Sequence, residues 1–388
     1  MPGERVERPL SPTARLLGQV LRDWDVRRWR PENPTEALAL GLQTLRSQLF
    51  LVESLPLLWL QRPARTAGRP APPAPSPEAI EVTLQRLRQL LEQDAAEIGR
   101  GVAPLSVLAP RDPMGHAARL LRILADSTGV ATRRRKNEHR EFGERSRRWL
   151  DELPAYYRRN FHHQTDGYLS ERSADLYEHQ VELLFRGGAD AMRRLILPPL
   201  RSHFGPQEGR GLRFLELGAG TGAGTRAVAK AFPEARITCL DLSPPYLKHA
   251  RKTLADADRV EFVQGDASDL EFRGERFDAV YSIFLLHELP LTIRETVLEE
   301  SFRVLKPGGF FGAVDSLQRG DDPDLDWALE LFPREFHEPY YANYAANPLE
   351  SLLRDAGFDP TGSRTGFLSK VVSARRPPPR DETVASPS

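Results

Sequence analysis

Glycines recur at every second position after a short apolar run in residues 214–225, which read Phe-Leu-Glu-Leu-Gly-Ala-Gly-Thr-Gly-Ala-Gly-Thr. Because glycine has no Cβ atom and adopts positive φ without steric cost, Gly218, Gly220 and Gly222 allow a ligand to approach the backbone closely. The alanine-rich residues 223–232 are typical of a helix, whose free N–H groups would face that ligand. The pattern therefore predicts a buried strand, a ligand-binding turn and a helix, as in nucleotide-type cofactor sites.

A carboxylate follows at the distance expected for a second part of the same site. A second apolar strand is predicted over residues 235–240, and Asp241 stands at its end, about 20 residues after Gly220. An acidic residue at this distance is placed to accept hydrogen bonds from ribose hydroxyls. Nicotinamide dinucleotides and S-adenosylmethionine both use such an arrangement, so these residues alone leave the cofactor open.

The Glu-x-Gly-x-Gly-x-Gly spacing of residues 216–222 departs from G-x-G-x-x-G and resembles the first motif of the class I S-adenosylmethionine-dependent methyltransferases. Residues 260–266 resemble the third strand of that family, residues 277–282 its fourth strand, and residues 303–309 the turn before its fifth. Ordered matches over roughly a hundred residues are far more specific than the glycine loop alone. The chain therefore resembles the small-molecule type of this family and is similar to its quinone-biosynthesis members.

The resemblance implies a fold and a set of cofactor-binding residues. The implied fold is α/β, a Rossmann-like, doubly wound and mostly parallel seven-stranded sheet that follows an α-helical N-terminal domain. In the family, the acid in the first strand helps to hold the amino-acid end of the cofactor, and an Asp with the next backbone N–H reads the adenine. The residues expected to bind S-adenosylmethionine are Glu216, Gly218, Gly220, Gly222, Asp241, Leu242, Asp266, Ala267 and Ser282.

The alternation of apolar segments also predicts a parallel sheet with helices on both faces. Strands are predicted over residues 214–217, 235–240, 260–263, 277–283, 309–315 and 367–374, and helices over residues 223–232, 244–255, 290–305 and 349–356. The resemblance implies that the last strand is antiparallel. Parallel sheets of this kind bind ligands at the carboxyl ends of their strands.

His287 follows the fourth strand and is the candidate catalytic residue, as a general base. Methyl transfer from a sulfonium mainly requires alignment and exclusion of water, so a base is needed only for a protic acceptor. The alternative is a structural histidine that caps the next helix or binds a backbone carbonyl. Glu288 is placed either to orient His287 or to interact with the positive end of that helix.

Aromatic side chains crowd into residues 156–168, before the first strand, and residues 332–344, after the fifth. By the resemblance, the first segment is a candidate lid and the second shapes the acceptor pocket. The alternatives are aromatic packing between domains and a structural flap. Adjacent His162 and His163 point in different directions, so no metal site is predicted. The residues expected to line the acceptor pocket are Tyr157, Phe161, His162, Tyr168, His337, Tyr340 and Tyr341.

Composition narrows the class of protein. Lys+Arg 54 and Asp+Glu 54 balance, which argues against a non-specific nucleic-acid binder, so no nucleic-acid partner is expected. Cys239 is the only cysteine, which excludes a disulfide framework and a cysteine-based zinc site. Neither a signal peptide nor an apolar run of membrane-spanning length is recognisable, so no membrane span and a cytoplasmic location are expected. The oligomeric state stays open.

At 388 residues the chain suits more than one domain. Helices are predicted over residues 14–29, 35–55, 77–98, 114–126 and 176–196, with a solvated charged helix over residues 133–148. Pro56 is expected to close the second of these helices, Ser76 to cap the third, and Pro198 with Pro199 to end the helix over residues 176–196, which Gly187 and Gly188 interrupt. The predicted units are a helical N-terminal domain of unknown role (1–130) with a Pro-rich linker or loop (62–77), a helical connector and candidate lid (131–200), the methyltransferase-like core (201–376) and a disordered tail (377–388).

The resemblance implies methyl transfer from S-adenosylmethionine to a small molecule such as a phenol, a quinone precursor or a natural product. Three alternatives stay open. They are a protein or RNA methyltransferase that docks through the N-terminal helices, a non-catalytic cofactor-binding interaction protein, and a nicotinamide-dependent reductase. The end of the fourth strand lacks the Asn/Asp-Pro-Pro-Tyr motif typical of methylation of nucleic-acid bases and glutamine, which disfavours the first.

Overall fold

The computed structural model describes residues 30–60, 75–136 and 138–378. The predicted helix over residues 14–29 lies outside the described residues, as do most of the Pro-rich linker and most of the tail. Among the helices of the described part of the chain, none combines the length and the apolar character needed to span a membrane.

The central element is a seven-stranded sheet with the strand order β3-β2-β1-β4-β5-β7-β6. The strands are β1 (Arg213–Leu217), β2 (Arg236–Asp241), β3 (Val260–Gln264), β4 (Phe277–Ile283), β5 (Leu305–Ser316), β6 (Asp359–Gly366) and β7 (Ser369–Arg375). Strands β1 to β5 are parallel, and β7 runs antiparallel between β5 and β6. This confirms the predicted mostly parallel, doubly wound sheet, including its antiparallel last strand.

Strand β6 is the strand that the apolar pattern did not predict. Its sequence, Asp-Pro-Thr-Gly-Ser-Arg-Thr-Gly, contains no large apolar side chain, and most of its residues are partly or fully exposed. It lies at the edge of the sheet and pairs only with β7. An edge strand that buries little apolar surface leaves no alternating pattern for sequence reasoning to detect.

Helices cover both faces of this sheet. They are α1 (Pro34–Leu60), α2 (Pro77–Gly99), α3 (His116–Lys136), α4 (Glu144–Arg147), α5 (Glu171–Leu184), α6 (Ala189–Arg194), α7 (Leu197–Phe204), α8 (Ala223–Ala231), α9 (Pro244–Thr253), α10 (Leu291–Val304), α11 (Asp326–Glu335), α12 (Tyr341–Ala346) and α13 (Leu349–Asp355). The Ser76 side chain caps α2 as expected, accepting a hydrogen bond from the backbone N–H of Ala79 at 3.2 Å.

Proline misled two helix predictions. Pro56 was expected to end the predicted helix over residues 35–55, yet α1 continues through it to Leu60. Pro198 and Pro199 were expected to end a helix, yet they stand in the first turn of α7. A proline in the first turn costs little because its missing N–H would have no partner inside the helix.

The predicted solvated helix over residues 133–148 is wrong. Helix α3 ends at Lys136, and residues 138–143 form no regular secondary structure before the short α4. Arg133 is buried, and its guanidinium donates to the carbonyl oxygen of His163 at 2.9 Å and to the Thr165 hydroxyl at 2.6 Å. This arginine anchors the aromatic segment that precedes the sheet, so part of the charged run is structural.

One apolar cluster joins the N-terminal helices to the sheet. It contains Leu40 of α1, Leu90 and Leu91 of α2, Phe214 of β1 and Ile237 of β2. A second cluster fills the opposite face of the sheet, where α10 and α13 pack. Helices α1 and α2 therefore bury their apolar side chains in the same core as the strands that carry the glycine loop.

Candidate active site

The glycine loop joins β1 to α8 and has the backbone conformation that its sequence predicts. Gly218, Gly220 and Gly222 have φ angles of +66°, +56° and +80°, which L side chains rarely adopt. A Cβ atom on Gly220 would meet no atom closer than 4.0 Å, so its missing side chain leaves open room above the loop. A cofactor can come close to the backbone in this room.

Asp241 meets the glycine loop directly from the end of the neighbouring strand. Its Oδ2 accepts a hydrogen bond from the backbone N–H of Gly220, and its Oδ1 accepts one from that of Ser243, each at 2.7 Å. Burial raises the pKa of Asp241 to about 6, although these two N–H groups oppose the shift. The carboxylate keeps further lone pairs, which suits the predicted contact with ribose hydroxyls.

Glu216 is buried in β1 beneath the loop. Its carboxylate accepts hydrogen bonds from the Thr225 hydroxyl and from the Tyr281 hydroxyl, the latter at 3.1 Å. Burial raises the pKa of Glu216 to about 7. Both hydrogen bonds of the Glu216 carboxylate come from protein side chains. Glu216 also lines the pocket above the glycine loop.

Arg193 at the end of α6 also lines this pocket, and sequence reasoning missed it. Its buried guanidinium lies 2.9 Å from Glu178 and 3.0 Å from Asp190, and Glu178 also accepts a hydrogen bond from the Thr221 hydroxyl of the glycine loop. Arg193 therefore places a positive charge beside a pocket whose other charged lining residues are all acids. The Arg193-Arg194 pair before β1 belongs to no recognisable motif, so the sequence gave no signal for it.

Part of the aromatic segment lines the cofactor pocket, and its role as a lid stays a prediction. Tyr157 and Tyr168 line the pocket opposite the glycine loop. The Tyr156 hydroxyl donates to both carboxylate oxygens of Asp266, at 3.1 and 3.2 Å. The Tyr168 hydroxyl donates to Glu288 at 2.6 Å, which ties the lid to the end of β4.

Other predicted cofactor-binding residues lie around this lid. Leu242 packs against the apolar cluster under the lid, and Ala267 is buried in the core beside β3. Ser282 is buried at the end of β4, and its hydroxyl has no hydrogen-bond partner among the described residues. The roles of these residues, and of Asp266, in binding the cofactor stay predictions.

His287 lies one turn beyond β4 and forms a dyad with Asp315 at the end of β5. Its Nδ1 lies 2.6 Å from Asp315 Oδ1, while Asp315 Oδ2 accepts the backbone N–H of Leu286 at 2.8 Å. Burial lowers the pKa of His287, but the charge and hydrogen bond of Asp315 outweigh it and raise the pKa to about 9. The partner of His287 Nδ1 is therefore the Asp315 carboxylate, whereas the structural alternative predicted a helix cap or a bond to a backbone carbonyl. Asp315 was not predicted as a site residue.

Three further polar side chains meet close to this dyad. His162 Nε2 lies 3.3 Å from Glu338 and 3.8 Å from Glu288. Burial raises the pKa of Glu338 to about 7, against the opposing charge of His162. Burial lowers the pKa of His162, but Glu338 and Glu288 outweigh it and the net shift is upward.

A cavity of about 360 Å³ opens beside His287, within the usual size range of small-molecule sites. Its walls are mainly apolar and come from α1, α3, α5, α11 and the ends of β4 and β5. Examples from these walls are Leu57, Ile123, Val130, Val181, Phe284, Leu329, Phe332, Phe336 and Tyr341. Tyr177 and Phe284 line both this cavity and the cofactor pocket, so the two are adjacent.

The residues predicted for the acceptor pocket fall into three groups. His162 and Tyr341 line the apolar cavity, whereas Tyr157 and Tyr168 line the cofactor pocket. Phe161 belongs to the second group, because it is buried and stacks on Tyr168 with ring centroids 5.4 Å apart.

The third group lies behind the lid. His337 stacks on His139 at 4.3 Å, and the Tyr340 hydroxyl lies 3.5 Å from the carbonyl oxygen of Tyr156. Sequence reasoning did not predict the walls from α1, α3 and α5, because apolar residues at helical spacing look the same whether they pack a core or line a cavity.

The sequence is similar to known methyltransferases. Residues 214–309 match a family model described as a methyltransferase domain. An uncharacterized methyltransferase of Synechocystis sp. is 35% identical over 168 residues, in an alignment that covers 42% of this chain and 76% of that protein. The chain belongs to the class I S-adenosylmethionine-dependent methyltransferases. Its cofactor is accordingly S-adenosylmethionine.

This methyltransferase also resembles relatives of named activity over shorter stretches. It is 36% identical over 145 residues to the fatty-acid O-methyltransferase of Mycolicibacterium smegmatis, which covers 37% of this chain and 52% of that protein. It is 43% identical over 99 residues to the demethylmenaquinone methyltransferase of Clavibacter sepedonicus, which covers 26% of this chain and 39% of that protein. The chain thus spans about half the length of these relatives or less.

Proposed function

We propose that this methyltransferase transfers the methyl group of S-adenosylmethionine to a small apolar acceptor bound in the cavity beside His287. The observation that carries the proposal is the adjacency of the two spaces, because Tyr177 and Phe284 line both of them. An acceptor in the cavity would lie next to a cofactor above the glycine loop. Alignment of donor and acceptor in this way is the main requirement of the reaction.

Residues that line the cofactor pocket or lie near it would each bind one part of S-adenosylmethionine. Asp241 would accept hydrogen bonds from the ribose hydroxyls, and Asp266 with the N–H of Ala267 would read the adenine. Arg193 would neutralise the carboxylate of the methionine end, with Glu216 holding its ammonium group. When bound, the cofactor supplies an electrophilic methyl group on a sulfonium.

The His287–Asp315 dyad would act on the acceptor. With its pKa raised to about 9, His287 carries a proton at neutral pH in the cofactor-free protein and can donate a hydrogen bond to an acceptor oxygen. A sulfonium nearby adds positive charge, which lowers the pKa and favours the neutral imidazole that takes a proton from a hydroxyl. Asp315 holds the imidazole in place through Nδ1, which leaves Nε2 for the acceptor.

The character of the cavity supports an apolar acceptor with an oxygen-bearing or anionic group. Arg186 lines the cavity, and its Nη1 is buried with no hydrogen bond to a described residue. No described carboxylate forms an ion pair with Arg186, and burial lowers its pKa. The names of the two relatives, a fatty-acid and a demethylmenaquinone methyltransferase, fit the same class of acceptor. In this proposal the N-terminal helices serve to build the acceptor cavity.

The test uses S-adenosylmethionine labelled in its methyl group, with a long-chain fatty acid, a naphthoquinol and a hydrophilic catechol as acceptors. We expect label in the product of at least one apolar acceptor and equal formation of S-adenosylhomocysteine. Arg186→Met should raise the KM for the fatty acid and leave that for the neutral quinol unchanged. Saturable cofactor binding without turnover on any of these acceptors, or turnover on the catechol alone, would contradict the proposal.

A further inference from the structure

The cluster of His162, Glu288 and Glu338 lies between the cofactor pocket and the acceptor cavity. His162 lines the cavity and Glu288 lines the cofactor pocket, while the Glu338 side chain is 0% exposed. Within the described residues, one ligand atom from each of the three lies within 4.8 Å of the other two. The cluster draws its members from the lid, the turn after β4 and the segment before α12.

Glu338 lacks the partners that a buried carboxylate normally has. Neither of its oxygens has a hydrogen bond with any residue that the structure describes, although His162 Nε2 lies 3.3 Å away. Burying a charged group without hydrogen bonds costs several kcal/mol, roughly, unless an oppositely charged partner offsets it. An additional positively charged group at this position would provide that partner.

The donor set and its spacing suit a metal cation. Ligands about 2.1 Å from one ion lie roughly 3 to 4 Å from each other, so small side-chain rotations would bring these atoms to coordinating distance. One imidazole with two carboxylates favours Mn²⁺, Fe²⁺ or Zn²⁺ over purely oxygen-coordinated Mg²⁺ or Ca²⁺. The Tyr168 hydroxyl, 2.6 Å from Glu288 Oε1, would orient that ligand.

We propose that His162, Glu288 and Glu338 bind a divalent first-row transition-metal cation between the two pockets. The sequence prediction considered only His162 with its neighbour His163, and those two side chains do diverge, since His163 Nδ1 lies 3.4 Å from the carbonyl oxygen of Glu138. The ligands that join His162 come from distant parts of the chain. The catalytic role of this cation rests on the proposed function, because the cation would hold an oxygen of the acceptor beside the methyl group of the cofactor.

A second histidine–carboxylate cluster provides an internal control. Glu53 of α1 accepts from His116 at 2.6 Å and from His179 at 3.2 Å. Each Glu53 oxygen already has a hydrogen-bond partner, so this cluster is complete without an ion. Glu53→Gln and Glu338→Gln are therefore matched substitutions in clusters of similar composition.

The experiment titrates Mn²⁺ into the chelator-treated full-length protein and follows free Mn²⁺ by electron paramagnetic resonance, with Zn²⁺ as competitor. The wild type and Glu53→Gln should bind at one saturable site. Glu338→Gln should weaken binding at least about tenfold, since even residues that only orient metal ligands change affinity this much. Binding of S-adenosylhomocysteine, measured calorimetrically on the same samples, should persist in all three proteins.

Without metal, Glu338→Gln should melt no lower than the wild type, because an amide replaces a buried carboxylate that accepts no hydrogen bond from a described residue. If that variant does not fold, His162→Gln is the replacement. The proposal is overturned if neither Mn²⁺ nor Zn²⁺ binds tighter than about 1 mM, or if Glu53→Gln abolishes binding and Glu338→Gln does not. Loss of S-adenosylhomocysteine binding in the wild type would instead contradict the proposed function.

Discussion

Several ionisable side chains around the two pockets are buried, and burial changes which form each takes near neutral pH. Asp241 and Glu216 have pKa values raised towards neutrality, whereas Asp315 makes His287 more basic than a free histidine. The charge state of the site therefore differs from what the residue types alone suggest. Two predictions follow from individual side chains.

His287→Gln and Asp315→Asn should each lower kcat by about 10² to 10⁴, the range of general acid–base contributions, for an acceptor that must lose a proton. The affinity for S-adenosylhomocysteine should stay unchanged, because neither residue lines the cofactor pocket. Single-turnover kinetics with calorimetry separates the two quantities. The control is His203→Gln on α7, and an equal loss of rate in that variant would exclude a specific role for the dyad.

Cofactor affinity should fall as the pH drops through about 6, because Asp241 must be ionised to accept from the ribose hydroxyls and Gly220. Protonation of Asp241 alone should decrease the affinity about tenfold per pH unit below this pH, in addition to the loss that comes from Glu216, whose pKa is raised to about 7. The raised pKa means that protonation of Asp241 occurs more easily in the folded than in the unfolded chain, so this group does not drive unfolding there. Calorimetric titrations at intervals of about one pH unit between about pH 5 and 8 measure this change of affinity with pH.

Asp241→Asn should bind the cofactor more weakly and lose the step near pH 6. Glu216→Gln removes the other carboxylate of the pocket that has a raised pKa, and it should keep this step. If the step disappears in Glu216→Gln and stays in Asp241→Asn, the titrating group is Glu216.

Among the structural elements, the proposed function assigns the cofactor mainly to the ends of the parallel strands and the acceptor mainly to the helices outside them. The ends of β1 and β2 bring the glycine loop and Asp241 together, since Leu217 pairs with Leu240 across the two strands. The acceptor cavity instead depends on α1, α3, α5 and α11, which pack above the carboxyl ends of the strands. Substitutions of cavity residues in α1, α3 and α11, none of which lines the cofactor pocket, should therefore change acceptor binding alone.

Ala328→Phe on α11 tests this separation. Ala328 lines the cavity, so a phenyl ring there would occupy space that the acceptor needs. We expect the KM for a long apolar acceptor to rise about tenfold, in keeping with the cost of overpacking, at constant cofactor affinity. Ala342→Phe on α12 is the matched control because Ala342 is exposed. Equal effects of both changes on KM would argue against the assigned cavity.

The sequence predicted the geometry of the glycine loop and Asp241 better than the residues that surround the cavity beside His287, for a physical reason. The glycine loop, Asp241 and their strands form a local motif whose spacing is tied to backbone geometry. Asp315 and Arg193 act through contacts between segments distant in sequence, and neither carries a local pattern. The same is true of Glu338, whose environment arises only when the lid meets the turn after β4.

The elements followed the same division. Buried strands with apolar patterns were predicted close to their observed bounds, and among the strands that the structure describes, the polar edge strand β6 alone was not predicted. The charged run at Arg133 was misread because a buried arginine that anchors a loop looks, in sequence, like any solvated one. Burial is a property of the folded chain, and a single sequence does not contain it explicitly.

For the whole molecule, the shared core of α1, α2 and the sheet predicts cooperative unfolding. Leu91→Ala should destabilise the protein by about 2 to 5 kcal/mol, because Leu91 is fully buried in that core. The far-ultraviolet circular dichroism and the tryptophan fluorescence should change in one coincident thermal transition at a lower temperature. Two separate transitions would instead indicate that the N-terminal helices form an independent domain.

The adjacency of a pocket built by the strands and a cavity built by the surrounding helices also has a consequence for evolution. Substitutions that accumulate in α1, α3 and α11 can change acceptor selectivity while the motif that holds the methyl donor stays intact. Relatives with closely similar glycine loops are therefore expected to diversify in chemistry through these helices, and chimaeras that exchange them between relatives should exchange acceptors.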